Sequence, residues 1–266
     1  MKRSPLTGCL LVFLGASLTA PPRAFPADKL ASKPAGARVP KGYKLVYSQT
    51  FDKADSLRDF EFTNPGKWTW APWDKAKANG CLESLGPGKY QPKFRSPLII
   101  ALISDRLFGD FILEADLAQT GREYGHRDLC LFFGFTTPSK YYYVHMATTA
   151  DRNAHNVFLV NDKPRTNIAD KTTKGVRWGT EKWHHVRLER KASDGTIRVF
   201  FDDMTKPIME ANDKTFPTGL VGFGSFDDSG RVDNVRIWGP KVVRKKSTFF
   251  GRKGADSEAA PAKASR

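Results

Sequence analysis

From Lys44 to Trp238 the apolar residues of the chain fall into short runs rich in Val, Ile, Phe, Tyr and Trp, broken by Gly, Pro, Asn and Asp. The runs read "KLVYSQTF", "FEFT", "KWTWAPW", "SPLIIALI", "DFILEADLA", "DLCLFFGF", "KYYYVHMA", "HNVFLVND", "WHHVRLERK", "TIRVFFDD", "LVGFGSF" and "VDNVRIW". Short β-rich runs at this spacing predict antiparallel strands. Twelve of them exceed an immunoglobulin-like domain, and the expected fold is all-β, a two-sheet antiparallel jelly-roll sandwich. No long amphipathic helix and no internal repeat interrupts the pattern.

Alternation assigns the faces, because residues two apart on a strand share one side of the sheet. Phe111, Leu113, Ala115 and Leu117 form one face and leave Glu114 and Asp116 opposite. Val186 and Leu188 oppose Arg187 and Glu189, while Ile197, Val199 and Phe201 align. In the most aromatic run, Tyr142, Val144 and Met146 predict a core face, so Tyr141, Tyr143 and His145 project from the other side.

The ends have a different composition. Residues 1–27 combine a basic start, an apolar run from Leu10 to Leu18 and small residues and prolines, the pattern of a secretory signal peptide. "LTGC" at 6–9 precedes that apolar run, so lipidation of Cys9 is not expected. Residues 28–44 read as a linker, 45–240 as one jelly-roll domain, and 241–266 as a basic disordered tail. No later segment predicts a membrane helix, and the expected location is secreted or periplasmic.

Charge follows the same division. Residues 1–46 carry +7 and residues 241–266 carry +6 of the net +15, leaving +2 for the folded part. A nearly neutral domain argues against specific nucleic-acid binding. The tail leaves contact with anionic cell-wall polymer as a role for the basic residues. Cys81 and Cys130 lack metal-ligand spacing; export permits a disulfide between them, and a buried free thiol is the alternative.

The segment "KWHHVRLERKASDGTIRVFFDDMTKPIME", followed by "GLVGFGSFDDSGRVDNVRIW", resembles the concanavalin A-like lectin/glucanase superfamily. Its nearest likeness there is to laminin-G-like modules and to secreted bacterial domains of the 3-keto-disaccharide hydrolase type, with "FGDFILEADLA" matching a strand of the latter. The resemblance spans about residues 46–239. It implies a jelly roll whose concave outer face takes an oligo- or polysaccharide and cleaves a glycosidic bond. A non-catalytic glycan-binding module and a lyase acting on a uronic-acid polymer are the alternatives on the same scaffold.

On that reading the expected catalytic residues are Tyr143, His145, His155 and Arg165, with imidazole and phenol as proton carriers and guanidinium as anion holder. Tyr141, Asn156, Asp128, Arg127 and Glu114 are expected to bind substrate. The superfamily's glucanases carry Glu-x-Asp-x-x-Glu, whereas Glu114-Ala-Asp116 is followed by Gln119, so the second catalytic carboxylate is missing. His184 and His185 point to opposite faces and read as part of the fold signature. Asp227, Asp228, Asp233 and Asn234 admit calcium, but the same residues make a tight turn, and no metal or other cofactor is expected. "GLVGFGSF" lacks the strand-to-helix setting of a nucleotide loop.

Overall fold

The computed structural model describes residues 39–73 and 79–253. The expected signal segment, most of the linker and the end of the tail lie outside them. Among the described residues the only helices are the short 3-10 segments Ala54–Asp59 and Pro65–Lys67. Neither is long and apolar enough to cross a membrane.

Two antiparallel sheets pack face to face as a jelly-roll sandwich. In the nine-stranded sheet the order is Ala169–Thr172, Met209–Asn212, Thr196–Phe201, Trp183–Lys191, Phe111–Gln119, Gly230–Gly239, Gly80–Ser84 and Trp68–Pro72, with Lys44–Gln49 added to Gly230–Gly239. The seven-stranded sheet runs Thr166–Asn167, Asn156–Asn161, Lys140–Ala147, Asp128–Thr137, Leu220–Ser225, Ile99–Ile103 and Phe60–Phe62. Every predicted run contains a strand. The strands without a predicted run are Gly80–Ser84, Arg106–Phe108, Thr166–Asn167, Ala169–Thr172, Met209–Asn212 and Val242–Arg244, which are short or polar.

The main core lies between the sheets and is filled by the inward residues that strand alternation predicts. Leu113, Ala115, Val186, Leu188, Ile197, Val199, Tyr142, Val144 and Met146 all belong to it. Burial of this apolar surface is the principal stabilising term, about 25 cal/mol per Å² removed from water.

A second apolar cluster changes the picture of the outer face. Ile100, Cys130, Phe132, Phe135, Tyr141, Tyr143 and Phe158 pack outside the seven-stranded sheet, against Tyr90, Leu107 and Phe250. The cover comes partly from beyond residue 240, which corrects the expectation of a tail disordered from there. Val242–Arg244 pairs with Arg106–Phe108, and Gly251 bridges to Phe62. The buried Glu61 carboxylate accepts hydrogen bonds from the Ser247 hydroxyl and from the Phe250 amide at 3.2 Å.

Gly134 explains how Phe135 joins that cluster. Its φ of 55° favours glycine, and the register between Asp128–Thr137 and Lys140–Ala147 shifts between Phe133 and Thr137. The bulge resets parity, so Phe133 faces the main core while Phe135 stacks on Tyr141 outside, with ring centroids 4.6 Å apart.

Both cysteines are free. Cys81 lies in Gly80–Ser84 and its thiol donates to the Ala71 carbonyl at 3.4 Å; Cys130, in the opposite sheet, donates to Asp128 Oδ2 at 3.0 Å.

Candidate functional site

At one end of the seven-stranded sheet, loops leave a cleft of about 180 Å³ lined by Arg95, Tyr124, His126, His145, Asn153, Arg165, Phe226 and Asp227. Its floor is built around Asp128, the first residue of a strand and fully buried. Its carboxyl accepts from the Ser225 hydroxyl at 3.0 Å and from the Phe226 amide at 3.1 Å, which fixes the turn carrying Phe226. Reciprocally, Asp228 Oδ2 accepts from the Asp128 amide and from the Tyr124 hydroxyl, each at 2.9 Å. Burial pushes the Asp128 carboxyl up to about 8 and also raises Asp228. Asp128 is thus a buried clamp and has no surface to offer a substrate, contrary to its expected binding role.

Arg165 is the most defined group of the cleft. Nη1 donates to the Tyr143 hydroxyl at 2.6 Å and Nη2 to the Asn153 carbonyl at 2.8 Å. The guanidinium lies over the rings of Phe158 and Phe226, at 4.6 and 4.7 Å from their centroids. Cation–π contact and two hydrogen bonds hold the group in one orientation. Its remaining N–H groups have no hydrogen-bond partner among the described residues.

Tyr143, His145 and Arg165 converge, but not as an exposed acid–base set. Tyr143 is fully buried, stacked on Phe158 with centroids 5.1 Å apart, and burial raises its phenol well above the ordinary range. His145 is 3 % exposed, and its Nδ1 accepts the His155 amide at 3.2 Å. Burial, with Arg165 adding to it, lowers His145 to about 3. Both groups are buried, and burial favours the neutral phenol and the neutral imidazole, so the structure does not present them as the exposed proton carriers expected.

The other expected residues also serve the fold. Tyr141 is fully buried and cannot be a stacking platform. His155 is buried with φ 51°, its Nε2 beside the Thr173 hydroxyl at 2.9 Å, and burial lowers it to about 4. Asn156 Oδ1 accepts the Ala169 amide at 3.0 Å. Arg127 is buried and spans Gln119, Gly121 and Thr180. Glu114 sits on the other sheet, where its Oε1 accepts Arg187 Nε and Nη2 at 2.9 and 2.7 Å. The four residues named for calcium do not share one position: Asn234 Nδ2 donates to Asp116 on the nine-stranded sheet, while Asp227 and Asp228 stand with Asp128 on the seven-stranded one, their carboxylate oxygens within 4.8 Å of one another.

Arg95, Tyr124, His126 and Asn153 sit in loops, where alternation carries no information; Phe226 closes a predicted run, and Asp227 entered only as a calcium candidate. The available signal was adjacency: His126 precedes Arg127 and Asp128, and Phe226 directly follows the glycine-bearing strand.

Among known proteins, no family model matches the chain and no curated protein does. Solved structures similar to it include a carbohydrate binding module, CBM66, from Bacillus subtilis, at 18% identity over 66% of this chain and 93% of that one, with a TM-score of 0.47. Domain 4 of AbnA, an extracellular GH43 arabinanase from Geobacillus stearothermophilus, in complex with arabinotriose, has 11% identity over 74% and 92%, with a TM-score of 0.44. SCLam, a non-specific endo-beta-1,3(4)-glucanase from family GH16, has 10% identity over 77% and 94%, with a TM-score of 0.45.

Proposed function

We propose that this protein is an exported glycan-binding module whose cleft holds a sugar without cleaving it. The observation carrying the reading is the Arg165 guanidinium, fixed by Tyr143 and Asn153 beside the half-exposed Phe226 ring. An aromatic face next to immobilised N–H donors suits a sugar, which pairs C–H faces with ring hydroxyls. Tyr124, His126 and Asn153 add polar groups around the same opening.

Hydrolysis and elimination draw no support from this geometry. Tyr143 and His145 are buried and silent near neutral pH, and Glu114 is engaged by Arg187 on the opposite sheet. The proposed export rests on residues 1–27, and cell fractionation tests it.

Titration of a glycan panel by calorimetry, with parallel assays for new reducing ends and for unsaturated sugars, tests the binding reading. Saturable heat without product is expected, and lost on Arg165→Met. Turnover of any glycan, or undiminished binding by R165M, would overturn it.

A further inference from the structure

The Phe226 ring is approached by two guanidinium groups, Arg165 at 4.7 Å and Arg95 at 5.4 Å from its centroid. Elsewhere Arg106, Arg127, Arg187 and Arg231 each meet a carboxylate of the chain. Among the described residues no carboxylate lies within 4 Å of a nitrogen of Arg95 or Arg165. Of the carboxylates near the opening, Asp151 pairs with His126 at 2.7 Å, while the exposed Asp227 lies 3.4 Å from the Tyr124 hydroxyl, whose proton goes to Asp228, and lies beyond 4 Å of the nitrogens of either arginine.

Resting on the glycan reading, we propose that the bound sugar is acidic and that its carboxylate is held by Arg165 and Arg95 beside Phe226. A half-buried, immobilised cation loses hydration without gaining a counter-ion, and a ligand carboxylate supplies one. The fork of a guanidinium matches the two oxygens of a carboxylate. The small volume suits one uronate residue more than a chain lying along a groove.

The test titrates the full-length protein with a uronate oligosaccharide, with its neutral methyl ester and with a sulfated neutral oligosaccharide. The free uronate is expected to bind about 10-fold more tightly than the ester or more, an advantage that shrinks as salt rises. Arg95 is exposed, so Arg95→Gln leaves folding intact, and it should weaken uronate binding several-fold more than ester binding. Equal affinity for uronate and ester overturns the acidic assignment and leaves the glycan reading standing. A sulfated sugar binding more tightly than the uronate overturns the carboxylate assignment. No binding of any of the three removes the glycan reading and this proposal together.

Discussion

The backbone amide of His155 donates to Nδ1 of His145 across 3.2 Å. That bond assigns the tautomer, leaving the imidazole proton on Nε2, which lies 3.6 Å from Asp128 Oδ1. The left-handed backbone of His155, at φ 51°, accompanies this contact. Burial favours the neutral imidazole in this setting, beside Asp128 and Arg165.

Nitrogen-detected NMR should therefore find His145 as the neutral Nε2–H tautomer at every pH from 5 to 8. A titration midpoint near 6.5 would refute the assignment.

Stability should pass through a plateau and then fall with alkali. His145 and His155, lowered to about 3 and about 4, resist protons that an unfolded histidine takes below about 6.5, so they favour the unfolded chain as pH falls. Burial raises Asp128 to about 8 and Asp233 to about 7, while Asp116 and Glu114 hold His185 up at about 9 against its burial. These three keep protons in the folded state that the unfolded chain releases, so their contribution is lost as pH rises. From about pH 4 to 6.5 the histidine and aspartate effects oppose; above about 6.5 only the loss remains. Melting at constant ionic strength should show a midpoint that declines from pH 6.5 to 9. A rise over that range contradicts the assignment.

Tyr143→Phe removes the hydroxyl that holds Arg165 and little else, since the ring keeps its stacking on Phe158. Stability should change by about 1 kcal/mol, the net worth of one hydrogen bond. Glycan affinity should fall several-fold in calorimetry. Unchanged affinity would show that Arg165 needs no support from beneath.

Glu114→Gln probes the opposite sheet. Burial opposes ionisation of Glu114, but hydrogen bonds from His185 and Arg187 hold its carboxyl below the ordinary range. Losing the charge leaves Arg187 with a neutral acceptor and with Glu189 at 3.7 Å as its remaining carboxylate, a change worth about 2 kcal/mol. Denaturant unfolding should register that loss while glycan affinity stays constant. A variant that folds normally but no longer binds would move the site to this face.

Ending the chain at Arg244 removes the segment that covers Tyr141 and Phe135. Phe249 packs tilted and Phe250 edge-on against the Phe135 ring, and Ser247 and Phe250 satisfy buried Glu61. A lower melting midpoint and stronger binding of a hydrophobic dye are expected. Melting like the full chain would show the cover to be dispensable.

The spacing of the apolar runs was enough to specify an all-β sandwich and the inward faces of its strands, because a two-residue period is a local property of extended backbone. Parity could say that Tyr141 and Tyr143 leave the main core, but not that Phe250 and Tyr90 come back over them, since that contact joins residues distant in sequence. The bulge at Gly134 likewise reversed a face that alternation alone would have assigned to Phe135. Protonation was equally out of reach: the same Tyr-x-His spacing suits an exposed acid–base pair or a buried neutral one. The tertiary structure decided between them by withdrawing water from His145 and setting Arg165 beside it.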